Sequence, residues 1–93
     1  MRRLLLQSTA FVRAARRFVK KHPDAGASFL MTLELLAEDA FHNSLKTHKL
    51  KRELVGSWAC SAGNDLRFVF EFVEHAGSQA ILLKTVGSHD EVY

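Results

Sequence analysis

Hydrophobic positions change their period twice along the chain. Residues 3–7, carried by Leu4, Leu5 and Leu6, read as a short first strand. Phe11, Ala14, Ala15 and Phe18 then recur at helical spacing and predict a helix from an N-cap at Ser8 or Thr9 to about Lys21. Arg13, Arg16, Arg17, Lys20 and Lys21 fill its remaining surface. Pro23 stops that helix, because proline cannot continue the backbone bonding. Asp24 is placed to cap a second helix with Phe29, Leu30, Leu33, Leu36 and Ala37 on one side, ending near Asp39. A link of about two residues around His22-Pro23 predicts an antiparallel helix hairpin. Phe41 to Ser44 read as an irregular connection.

From Leu54 the period becomes that of strands. Val55 to Cys60 predicts a second strand, with Gly56 marking a bulge or bend. Ala62-Gly63-Asn64 is a turn, and Asp65 to Glu74 alternates strictly. Leu66, Phe68, Phe70 and Phe72 take one face of that strand, and Arg67, Val69 and Glu71 the other. The phenylalanine row is a core stripe for the helices to cover. His75 to Ser78 turns the chain into a last strand over Gln79 to Val86. The expected fold is α+β: a mainly antiparallel four-stranded sheet with the helix hairpin on one face. The other face is left open, with Arg67 toward it.

Composition narrows the class. The 93 residues fit one domain, and 47% hydrophobic content with 10% aromatics excludes a disordered chain. The single Cys60 cannot form an internal disulfide, and no Cys/His spacing resembles a zinc site. The apolar run after Met1-Arg2-Arg3 is too short for a signal peptide, and no stretch approaches a membrane span. A cytoplasmic protein without membrane contact is expected. Charge is uneven: residues 1–52 hold eleven Lys/Arg against four Asp/Glu, and residues 53–93 hold two against six. A basic half implies a polyanionic or acidic partner, although solvated helix surfaces give the same sums.

No phosphate-binding loop, dinucleotide fingerprint or zinc-protease helix is present, and Ser57, Ser61 and Ser88 lack a nucleophile-elbow context. What remains is a set of proton-transfer and phosphate-binding groups: His48, His89, Asp65, Arg67, Lys49, Lys51 and Tyr93. RNA cleavage needs no external nucleophile, because the ribose 2′-hydroxyl attacks the adjacent phosphorus. Imidazoles can take and give the protons, cations can steady the phosphoryl charge, and a terminal tyrosine can stack on a base. Individually each residue has a plainer explanation: a surface histidine, a strand-edge Asp65–Arg67 pair, a tyrosine plugging the sheet. His22, His42 and His75 lie at turns and receive no role.

Together, Thr47-His48-Lys49-Leu50-Lys51, then Gly56-Ser57-Trp58, Asp65-Leu66-Arg67 and the closing Gly87-Ser88-His89-Asp90-Glu91-Val92-Tyr93 resemble the RelE/ParE superfamily of bacterial toxins, in particular its YafQ-like branch. The resemblance spans the whole chain. It implies the toxin of a type II toxin–antitoxin pair, a metal- and cofactor-independent endoribonuclease that cuts mRNA in the ribosomal decoding site. It also implies a small cognate antitoxin as partner. On that resemblance His48, Asp65, Arg67, His89 and Tyr93 are the catalytic set, and Lys46, Lys49, Lys51 and Arg52 the basic RNA contacts. His89 is the preferred general acid, and His48 or Asp65 the base. Ala62-Gly63-Asn64 stands where some relatives carry a further histidine with a nearby aspartate. Two alternatives follow from the same resemblance: a ParE-like gyrase inhibitor, and an inactive module that keeps antitoxin affinity.

Overall fold

Five strands form one mixed sheet in the computed structural model, which describes residues 2–51, 54–62, 65–88 and 92. In chain order the elements are β1 (Leu4–Gln7), α1 (Thr9–Lys21), α2 (Gly26–Glu38), β2 (His48–Lys49), β3 (Trp58–Ala62), β4 (Leu66–His75) and β5 (Ser78–Gly87). The spatial order is β1-β5-β4-β3-β2. β1 runs parallel to β5, and every other pairing is antiparallel. The α+β class with helices on one sheet face is as expected. The strand count is not: His48–Lys49 forms a two-residue edge strand against Ala59 and Trp58, in a stretch to which the sequence pattern assigns no element. Two residues are too few to show any period.

α1 begins where Ser8 accepts the Phe11 N–H, 3.0 Å, through its side-chain oxygen. Phe11, Ala14 and Phe18 are buried on its inner side. Asp24, by contrast, does not cap α2. It lies in a single 3₁₀ turn, Pro23–Ala25, that runs straight into the helix, whose first turn has no side-chain cap. In α2 the buried residues are Phe29, Thr32, Leu36 and Ala37, while Leu30 is 65% exposed. Apolar residues on nearly every side of this helix leave its inner face unspecified by periodicity. Thr32 tolerates burial because its hydroxyl donates to the Ser28 carbonyl, 2.7 Å.

The phenylalanine row of β4 meets the helices as expected. Phe68 is fully buried, with the Phe29 ring edge-on at 5.2 Å and the Phe11 ring stacked at 6.2 Å. Phe29 also meets Phe18, so one ring ties both helices to the sheet. Ile81, Leu83 and Val86 of β5 complete this layer. Their spacing contains one irregularity: Val69 pairs with Thr85 and Phe70 with Leu83, leaving Lys84 as the extra residue of a β-bulge. Gly56, at φ 90°, belongs to a turn before β3 and not to a strand bulge, so β3 starts at Trp58. The Phe41–Ser44 connection contains part of a second 3₁₀ turn, Asn43–Leu45, which buries Leu45. The β4–β5 hairpin turns on Ala76 and Gly77, both at positive φ, as a type I′ turn requires.

Candidate functional site

Register decides which side chains share the face away from the helices. His48 pairs with Ala59, Ala59 with Val69, and Val69 with Thr85, so these four form one row across the sheet. The next row is Ser61, Arg67 and Gly87. His48 and Arg67 therefore lie on the same face, two strands apart and two residues offset. At ~4.8 Å between strands and ~3.4 Å per residue, their Cα atoms are roughly 12 Å apart. Ala59 and Val69 make a small, buried floor between them.

His48 is exposed, and its Nδ1 lies 2.9 Å from the Lys46 carbonyl oxygen. A carbonyl only accepts, so Nδ1 carries a proton and donates it to that oxygen. Lys46 supplies that carbonyl from a left-handed backbone (φ 51°) at the end of the 3₁₀ turn. Arg67 is half-buried, and its Nη1 donates to the Leu66 carbonyl at 3.0 Å. No carboxylate pairs with Arg67 among the described residues, which leaves most of its fork for an anion. Asp65 is exposed in the turn directly before β4.

The other nominated residues divide. Lys49, next to His48 on a two-residue strand, points to the opposite face, where its Nζ sits 5.4 Å from the centre of the Trp58 ring. Lys46 and Lys51 are exposed at the margin of β2. His89, Tyr93 and Arg52 lie outside the described residues, as do Gly63 and Asn64 of the turn before Asp65. The closing motif begins at the site nevertheless: its Gly87 is the direct partner of Arg67, and the Val92 N–H donates to the Ser88 carbonyl at 3.1 Å. Of the histidines without a role, His22 packs its ring on Phe18 at 4.6 Å, and His42 Nδ1 accepts the Ser44 N–H at 3.1 Å.

Sequence reasoning missed one group on this face. Lys84 Nζ contacts Glu71 Oε2 at 2.9 Å and donates to Ser57 Oγ at 3.0 Å, and Ser57 is buried. The bulge delivers both Lys84 and Thr85 to the open face. The one hint was a lysine within the apolar run Ile81-Leu82-Leu83-Lys84-Thr85-Val86. On the helix side of the same strands, burial pushes the Cys60 thiol up to about 12, so this sulfur is an inert core atom. No set of three or more His, Cys, Asp or Glu is placed to hold a metal ion among the described residues. Nor is any helix there long and apolar enough to cross a membrane.

No family model matches the sequence, and no curated protein sequence matches it either. Solved structures do match. Escherichia coli YafQ superposes with a TM-score of 0.78 at 13% identity, covering 98% of both chains. A metal-bound toxin from Helicobacter pylori gives 0.71 at 24% identity over the whole of both chains. The Mycobacterium tuberculosis toxin–antitoxin complex RelBE2 contributes a chain at 0.69 and 13% identity, covering 96% of this chain and 100% of its own. The protein therefore has the fold of YafQ, which it shares with a YoeB/ParE toxin from Agrobacterium tumefaciens and the matched chain of RelBE2.

Proposed function

We propose that this protein is the toxin of a type II toxin–antitoxin pair and a ribosome-dependent endoribonuclease acting on mRNA. The observation that carries the proposal is the shared sheet face of His48 and Arg67, with Nδ1 of His48 anchored and Gly87 of the closing motif beside Arg67. In this reading the 2′-oxygen bonds to phosphorus as its proton passes to a base, His48 Nε2 or Asp65. The P–O5′ bond breaks, and His89 protonates the departing 5′ oxygen. The products are a 2′,3′-cyclic phosphate and a 5′-hydroxyl. Arg67 steadies the charge that grows on the non-bridging oxygens. Tyr93 stacks on a base beside the scissile bond, and Lys46, Lys51 and Arg52 meet the flanking backbone. Lys49 is the weaker candidate, since Trp58 holds its ammonium on the other face.

A cognate antitoxin completes the proposal. The E. coli DinJ–YafQ complex, whose toxin chain superposes at a TM-score of 0.77 and 13% identity, supports a partner of that kind. The deciding experiment is induction of the wild-type chain and of His48→Ala and His89→Ala, followed by mapping of new RNA 3′ ends. Growth arrest with new 3′ ends in ribosome-bound messages is expected for the wild type alone. Arrest with lost DNA supercoiling and no new ends would assign a gyrase inhibitor instead. Absence of arrest, with a co-expressed antitoxin still bound, would leave only a binding module.

A further inference from the structure

The strand that carries His48 is two residues long and has a neighbouring strand on one side only. Side chains alternate along a strand, so a slip of a single residue against β3 would turn His48 away from the open face. A longer strand resists such a slip through a whole row of apolar residues on its core side. β2 has one side chain for that purpose, Lys49, which lies on the helix side of the sheet.

The surroundings of Lys49 are built to hold it. It is the cross-strand partner of Trp58, and its Nζ lies 5.4 Å from the centre of the indole ring. The Leu50 N–H donates to the Ser57 carbonyl at 2.9 Å, so the antiparallel alternation leaves Lys49 and Trp58 as a pair joined through their side chains. Trp58 is itself fixed by other rings. Phe41 stands edge-on to it at 5.4 Å and Phe72 edge-on at 5.3 Å, and those two stack on each other at 5.7 Å. Phe41 belongs to the connection that leads into β2, and the Thr47 hydroxyl closes that connection on the Ala40 carbonyl. Through Phe72 and Phe70 the platform under the ammonium is continuous with the core. Indole is the best aromatic partner for a cation, and the lysine stem covers apolar surface on the way to it. A one-residue slip would bring His48 opposite Trp58 and release the ammonium from the ring.

We propose that Lys49 and Trp58 are positioning residues, whose contact on the helix side fixes the facing of β2 and so presents His48 to the scissile phosphate. The inference rests on the nuclease reading above for what His48 does, but not for which way it points. It gives Lys49 a role distinct from touching RNA. A phosphate contact acts through affinity and its salt dependence, whereas a residue that orients a catalytic imidazole acts on turnover.

The full chain supplies two readouts. In ribosome-dependent cleavage, Lys49→Met should lower kcat about tenfold, the loss expected if the ring is correctly presented in about one molecule in ten. KM and the salt dependence of binding should not move. Lys49→Arg keeps a cation over the ring and should restore most of the turnover. Trp58→Leu, shown by a melting curve to be folded, should match Lys49→Met, and the double variant should lose little more, because both changes remove the same contact. The second readout needs no RNA. The ring proton resonance of His48, assigned by its loss in His48→Ala, should shift or double in Lys49→Met and stay as in the wild type in Lys49→Arg. A raised KM with unchanged kcat in Lys49→Met would make Lys49 an RNA contact and overturn the proposal. So would an unmoved His48 resonance. A resonance that responds to Lys49→Met in a chain that cuts no RNA would keep the orienting contact and remove the nuclease. Cutting by the wild type, with the resonance unmoved in the variant, would do the reverse.

Discussion

Replacing Cys60 with Ala should give a stability difference that reverses with pH. The thiol is buried and flanked by Ala59 and Ser61, on the strand between β2 and β4. Its proton is held to about 12 in the fold, against an ordinary value of 9.0, and burial is the cause. Between those two values the unfolded chain has lost the thiol proton while the folded chain keeps it. The unfolded state then binds fewer protons, so stability falls as pH rises, by about 1.4 kcal/mol per pH unit. Below 9 this group contributes no slope. Removing the sulfur leaves a small cavity that costs on the order of 1–2 kcal/mol. The wild type should therefore be the more stable protein at about pH 8, with the two converging near pH 10 and the order reversed by about pH 10.5. Urea unfolding of both proteins across that range reads the effect. Other titrating groups cancel in the difference. A gap that stays constant from about pH 8 to 10.5 would show that the thiol ionises as easily folded as unfolded, and would refute the reasoning.

His48→Ala should lower RNA cleavage by about a hundredfold or more while barely moving the unfolding temperature, since the ring is exposed; primer-extension rates and a melting curve check both. Phe68→Ala removes a fully buried ring that meets Phe11 and Phe29, and should cost about 3–5 kcal/mol in a chemical denaturation series. That is a large share of the ~5–14 kcal/mol expected for a domain of this size. Ala76→Asn should stabilise by about 0.5–1 kcal/mol, because Ala76 sits at φ 52° in the hairpin turn and asparagine tolerates that region better. A rise of several degrees in calorimetric midpoint would confirm it, and a fall would show that the turn is not limiting.

What could be read in the sequence follows from how strongly each segment repeats. α1 has one apolar stripe opposed by cations, and β4 has a strict alternation; both lie where their periods place them. α2 is apolar on most sides, so its pattern does not separate the exposed Leu30 from the inward residues, nor reveal that Thr32 is buried. The two-residue β2 is visible only through its pairing with Ala59 and Trp58. That pairing also separates His48 from Lys49, two neighbours that in a loop look equivalent. Motifs single out His48 and Arg67 one by one. Their common face is a property of register across three strands, which no local pattern contains. The Lys84–Glu71–Ser57 cluster was hidden for a related reason: a bulge shifts the parity of β5, and nothing in Leu83-Lys84-Thr85 announces it.

That odd residue has a consequence for anyone rebuilding this protein. Leu83 and Val86 both turn inward although three positions separate them, and Gly87 still arrives opposite Arg67. The phase of everything downstream is thus set at Lys84, independently of the core upstream. A transplanted or redesigned carboxyl-terminal segment would emerge facing the wrong way unless the extra position travelled with it.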